Sequence, residues 1–274
     1  MSETIHPFSD KSKAILKYEP IELNGLVYWP ITVADYDKWQ VCRSALTLRQ
    51  GALPAKYACM TYLQCVWALD YDARASGSES KFGPWNALAM ILALSLRFSD
   101  DDKIQAIGNL PDRRNLVSIR IVKDEQEHDI EPMAFNVVRK LIADQNGAEL
   151  PNEADNPDLI EAAENIRNTT NVRLNHDLGD MLTSVASARN LRRKDLFDWP
   201  IKELDDEIRA IRRRVGHLIS SIAEVQGAKY ENGNPYPTWM FDRANDEFEG
   251  LISMSRLQSD HKAQISVQEN APTT

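Results

Sequence analysis

The sequence has little of what catalysis usually needs. Its five histidines stand far apart, at 6, 128, 176, 217 and 261, too scattered for a ligand pair at helix or strand spacing. It contains no C-x-x-C and no H-E-x-x-H, so a zinc site has no support, and no G-x-G-x-x-G or G-x-x-x-x-G-K-[ST], so a phosphate cradle has none either. Cysteine is scarce. Cys42, Cys59 and Cys65 are an odd number in a long chain with no secretory signal at its start, which fits reduced thiols in a cytoplasm better than a disulfide framework. Long apolar runs are missing too: the longest, Ala87 to Leu94 extended by Leu96 and Phe98, is too short to span a bilayer and reads as a buried core helix. Positive charge is in deficit. A net charge of -9 and a pI near 5.2 repel nucleic acid and anionic lipid headgroups, so neither nucleic acid nor membrane is expected as a partner.

What remains is an ordinary globular balance, 43% hydrophobic and 27% charged over 274 residues, enough to bury a sizeable core without staples. The ends, 1–13 and 259–274, are polar and aperiodic and are expected to lack order. Between them the reading is α+β, predominantly α-helical, with an α+β domain over 14–151 carrying two short β-hairpins and a helical bundle over 152–258. The first hairpin is Tyr18 to Leu23, an Asn24-Gly25 turn and Leu26 to Trp29; the second runs from Leu116 to Val122 and returns around His128 to Ile130. Ser99 to Asn115, with Asp100, Asp101 and Asp102 in a row, reads as a surface connection.

Helices are expected over Val33 to Gln50, Ala55 to Ala75 behind Pro54, Pro84 to Phe98, Pro132 to Asn146 closed by Gly147, Pro157 to Asn168, and Asp177 to Asn190. The longest should run from Pro200 to Gly227. Its apolar residues Ile201, Leu204, Ile208, Ile211, Val215, Leu218, Ile222 and Val225 alternate spacings of three and four, and such a stripe must be covered by neighbouring helices of the same chain or by another subunit. Ile219 and Ala223 widen it toward an intramolecular bundle. A last helix should begin at the Asp242 cap and end near Leu257.

Each candidate for chemistry has a plainer reading. Cys59 and Cys65 look like small core residues in a buried helix. Glu127-His128-Asp129 suggests acid-base machinery, but neighbours on a strand point to opposite faces and do not converge. The triple aspartate lacks the alternating ligands of a calcium loop. The basic clusters Arg189 to Lys194 and Arg209 to Arg214 lie among acids at helical spacing and read as ion-paired faces. His217, beside the stripe, reads as a structural histidine rather than a switch. The one surface candidate is Trp239, Met240 and Phe241, either a protein-docking patch or a staple for the last helix. No catalytic, cofactor-binding or metal residue is assigned, and a binding protein that is not an enzyme is the expectation.

The order of several segments resembles tail assembly chaperone-like proteins of tailed phages and prophages of Gram-positive bacteria. The segments are Tyr18 to Gly25, Pro30 to Tyr36, Ile142 to Gly147, Asn156 to Leu159, Ala223 to Gly227 and Gly233 to Trp239. The resemblance implies a protein of phage tail morphogenesis that holds the helical tape-measure protein soluble in the host cytoplasm until the tail-tube protein polymerises around it. A structural part of the tail or baseplate, able to form a homo-oligomer through its stripe, is the alternative, with an unrecognised enzyme behind both.

Overall fold

The Asn-Gly pair forms the turn its chemistry dictates. In the computed structural model, which describes residues 10–77, 83–109, 114–151, 177–230 and 234–241, strands β1 (Ile21–Leu23) and β2 (Leu26–Tyr28) pair antiparallel with Leu23 opposite Leu26. Asn24 and Gly25 between them have φ of 55° and 74°, the left-handed pair that a two-residue hairpin requires. Helix α1 (Asp10–Leu16) precedes the hairpin. It starts inside the stretch 1–13 expected to lack order, because Ala14 and Ile15 pack on the main core.

The second hairpin belongs to a separate, three-stranded antiparallel sheet of β3 (Lys103–Gly108), β4 (Leu116–Lys123) and β5 (Gln126–Ile130), in that order. Strand β3 corrects the reading of Ser99 to Asn115 as a plain connection: Ile104 and Ala106 alternate inward onto the core while Lys103 and Gln105 face out. The register slips between Ile107 and Gly108, whose partners are Ser118 and Leu116, so Val117 is left unpaired and exposed. The alternation expected at 117, 119 and 121 therefore holds for Ile119 and Ile121 and fails at the bulge.

Two long helices expected from periodicity are broken. In place of Val33 to Gln50 stand a 3-10 turn at Val33–Asp35, α2 (Tyr36–Cys42) and α3 (Ser44–Thr47). The carbonyls that would continue the helix have distant donors: Tyr62 Oη gives its proton to the Ala45 carbonyl at 2.6 Å, and Arg139 Nε donates to that of Leu46 at 2.7 Å. Ala55 to Ala75 divides into α4 (Ala55–Ala58) and α5 (Tyr62–Ala75), since the Thr61 backbone N–H donates to the Gln64 side chain as in a capping box and starts a new helix. Then come α6 (Pro84–Leu96), with proline in its first turn, α7 (Phe135–Asn146), ended by Gly147 at φ 70°, α8 (Leu178–Arg189), capped by Asp177, and α9 (Ile201–Val225). The expected helices 157–168 and 242–257 and the terminal stretches 1–9 and 259–274 lie outside the described residues.

The main core joins the first hairpin, α2, α3, α5, α6, the central sheet and α7 through Tyr28, Trp39, Leu63, Leu88, Ile119 and Phe135, among others. At its edge α7 ends in two buried amides. Asn146 Oδ1 accepts from the Ile31 N–H at 2.8 Å and its Nδ2 donates to the Ile142 carbonyl, while Gln145 Nε2 donates to the Tyr28 carbonyl at 3.1 Å. These bonds pin the chain leaving β2 to the end of α7. The same chain reaches the back half: the Val33 N–H donates to the Trp199 carbonyl, the Ile201 N–H donates to that of Ile31, and Thr32 bridges Pro200. A second cluster joins Val33 to Leu182, Val185, Leu196 and Leu204. Described residues on both sides of the expected boundary at 152 thus share one compact unit.

A candidate protein-docking face on the longest helix

One heptad stripe on α9 meets two different environments. At its start Ile201 and Leu204 are buried, and Ile208 and Ile211 pack at the margin of the second cluster. Farther on, the same stripe is exposed among the described residues. Val215, Leu218 and Ile222 are about half exposed, Ile219 is 64% exposed and Val225 90%. The expectation that an intramolecular bundle covers the whole stripe is met over its first half. Contiguous exposed apolar side chains on this scale mark an interaction surface more often than a casual feature.

Charge is sorted along the same helix. Glu203, Asp205, Asp206 and Glu207 crowd its first turns, where the helix dipole favours them. Burial raises the Glu203 and Asp205 carboxyls above the usual range, with the Glu207 charge adding to it at Glu203 and the Arg209 charge opposing it at Asp205. Asp206 accepts from Lys202 Nζ at 2.9 Å and from Tyr18 Oη at 3.0 Å, and Glu207 takes both arms of the Arg189 guanidinium. Arg212 and Arg214, both exposed, then border the uncovered apolar half. Asp205 and Asp206, with Ile15, Gly147 and Arg209, line an open groove of about 400 Å³, in which Asp206 is held by Lys202 and Tyr18.

The opposite side of α9 is closed by the segment 234–241. Gly216 makes this possible: a Cβ there would lie 2.7 Å from the Tyr236 ring. Since a carbonyl can only accept, His217 Nδ1 must carry the proton it shares with the Tyr236 carbonyl at 3.0 Å. Asn234 Nδ2 donates to Glu224. His217 is therefore held in place, as its structural reading required. Trp239, Met240 and Phe241 follow on the same segment and are all more than half exposed.

The other candidates disperse. Glu127 and Asp129 share one face of β5 and both pair with Arg120, whereas His128 turns to the other side, beside Gly25 of the first turn. Asp102 accepts from the Ser99 and Asp124 N–H groups and so caps two turns. Cys65 is buried as expected. Cys59 is exposed, because the break before Thr61 takes it out of the helix in which it was placed. Arg192 pairs with Asp195, in keeping with an ion-paired basic cluster. Among the described residues no group of three His, Cys, Asp or Glu is placed to hold a metal ion, and no helix is long and apolar enough to cross a membrane.

Sequence reading missed one charged cluster, because its members are far apart in the chain. Asp72 accepts from both Nε and Nη2 of Arg114, at 2.9 and 3.1 Å, from Lys56 Nζ at 2.9 Å and from Tyr57 Oη at 2.8 Å. Hydrogen bonds from Arg114, then Lys56 and Tyr57, hold its carboxyl well below the usual carboxylate range. A carboxyl depressed on folding adds stability above its unfolded pKa of about 4, and that stability drains away as pH falls toward the folded value. Asp72→Asn should cost about 1–2 kcal/mol at pH 7. Thermal melts should show this gap narrowing between about pH 4 and pH 2; an unchanging gap would exclude the ionised carboxylate as its source.

Set against known proteins, the chain matches no family model. No curated protein and no solved structure matches it either.

Proposed function

We propose that this chain is a non-enzymatic protein of phage tail morphogenesis, a chaperone that covers apolar helical surface of the tape-measure protein in the host cytoplasm until the tail-tube protein assembles. One observation carries the reading: the outer half of α9 presents an apolar strip with arginine at its border. An amphipathic client helix buries its own stripe in such a place, and acidic residues flanking that stripe would meet Arg212 and Arg214. The order of segments noted in the sequence supports the same role.

Coexpression tests it. With a tape-measure protein as client, the native chain should raise the client's soluble fraction several-fold, and Leu218→Glu with Ile222→Glu should abolish the gain while leaving the chain's own circular dichroism unchanged. A client equally soluble with and without the chain overturns the proposal. The second reading, a part retained in the tail or baseplate, is favoured by the same strip if it joins copies. Mass spectrometry of purified particles separates the two, since a chaperone leaves and a component stays.

A further inference from the structure

The outer face of the three-stranded sheet ends in an open corner. Pairing of β4 with β5 stops at Ile119 with Ile130, but β4 begins three residues earlier, at Leu116. The same register carried one step further sets Glu131 opposite Ser118. Strand alternation places Ser118 on one face with Arg120, and Glu131 on one face with Asp129, which Arg120 pairs with. Here the surface opens into a groove of about 530 Å³, lined by Ser118 and Glu131 together with Thr61, Asn109, Val117 and Met133.

Several polar groups around the groove are already engaged. Gln64 bonds to Thr61 and to the Leu116 carbonyl, and both oxygens of Asp129 accept from Arg120, at 2.8 and 2.9 Å. Three are not. Ser118 is only 8% exposed, yet its hydroxyl makes no hydrogen bond among the described residues. The Asn109 side chain makes none among them either, and Glu131 has no ion pair there. A hydroxyl so enclosed normally finds a partner, and one that does not marks a place for something that enters. Glu131 is held where it stands, because its carbonyl accepts from the Phe135 N–H at 3.0 Å.

We propose that this groove binds a primary ammonium carried on an aliphatic chain, whether a lysine side chain or a free diamine. An ammonium offers three donors and no acceptor. The Glu131 carboxylate, the Ser118 hydroxyl oxygen and the Asn109 amide oxygen are the acceptors the groove has to spare. The methylene chain lies along Val117 and Met133, both more than half exposed. An anion would meet two carboxylates instead, and a wholly apolar ligand would cover the Ser118 hydroxyl without pairing it. A single ion pair open to water binds weakly, so dissociation on the order of millimolar is expected for one amine. No residue of α9 lines this groove, and the site stands or falls separately from the client strip.

Amide NMR of the isotope-labelled full chain at physiological salt tests this, with diaminobutane and a short peptide carrying one lysine as separate probes. Each should give saturable shifts centred on Ser118 and Glu131, whereas butanol, which lacks the charge, should give none. Glu131→Gln should weaken binding at least about fivefold and Ser118→Ala about threefold, both with unchanged circular dichroism. Tighter binding of the peptide assigns a protein lysine as the source, and tighter binding of diaminobutane a free amine; each supports the site. Shifts that do not saturate by about 50 mM amine overturn the proposal. So do shifts spread over the acidic surface, or binding indifferent to Glu131→Gln.

Discussion

Leu204→Ala should lower the free energy of unfolding by about 2–5 kcal/mol, while Leu218→Ala, two heptads along the same stripe, should change it by no more than about 0.5 kcal/mol. The residue type and the heptad position are the same. Their surroundings differ. Leu204 is fully buried among Val33, Leu182, Val185 and Leu196, whereas Leu218 is 56% exposed. Deleting three carbons from the first leaves a cavity in a packed cluster, and deleting them from the second removes contacts largely with water. Urea titration of the two variants checks the contrast, with the midpoint falling for one and unmoved for the other. Equal losses would mean that Leu218 is packed in solution, and the docking face proposed above would be overturned.

The second large effect belongs to Asn146. Replacement by Ala should cost about 2–4 kcal/mol, more than its size suggests, because it strands the Ile31 N–H in a buried place as well as removing two bonds. The loss should also spread. Ile31 leads directly into the backbone bonds that fix Val33 and Ile201, so amide exchange of the Val33 and Ile201 N–H groups should quicken along with that of Ile31. Unaltered protection at Val33 and Ile201 would show that α9 is seated without help from α7.

Local punctuation made much of this fold readable. Asn24-Gly25, Pro84, Gly147 and Asp177 each satisfy a backbone need that depends on a few neighbouring residues, and each element edge they signalled is present. Reading failed where a distant partner decided. The stop after Thr47 depends on Arg139 and Tyr62 donating to carbonyls of α3. Strand β3 has only two inward apolar residues and needs β4 beside it to be a strand at all. The Thr61 to Gln64 capping box was locally visible, but an apolar period running through it masked the signal.

The candidate site was half legible for the same reason. Spacing revealed the α9 stripe, yet spacing is identical in its covered and uncovered halves, and only packing by Val33, Leu182 and Leu196 distinguishes them. The closure of the opposite side by Tyr236 depends on a missing side chain at Gly216, which a period of apolar residues does not register. Asp72 and its three donors come from two stretches more than forty residues apart, beyond any local pattern.

Because α9 is anchored by its first turns and exposes its last ones, the two ends of one helix tolerate change unequally: substitutions in the outer turns reshape the surface it presents at small thermodynamic risk to the fold that holds it out.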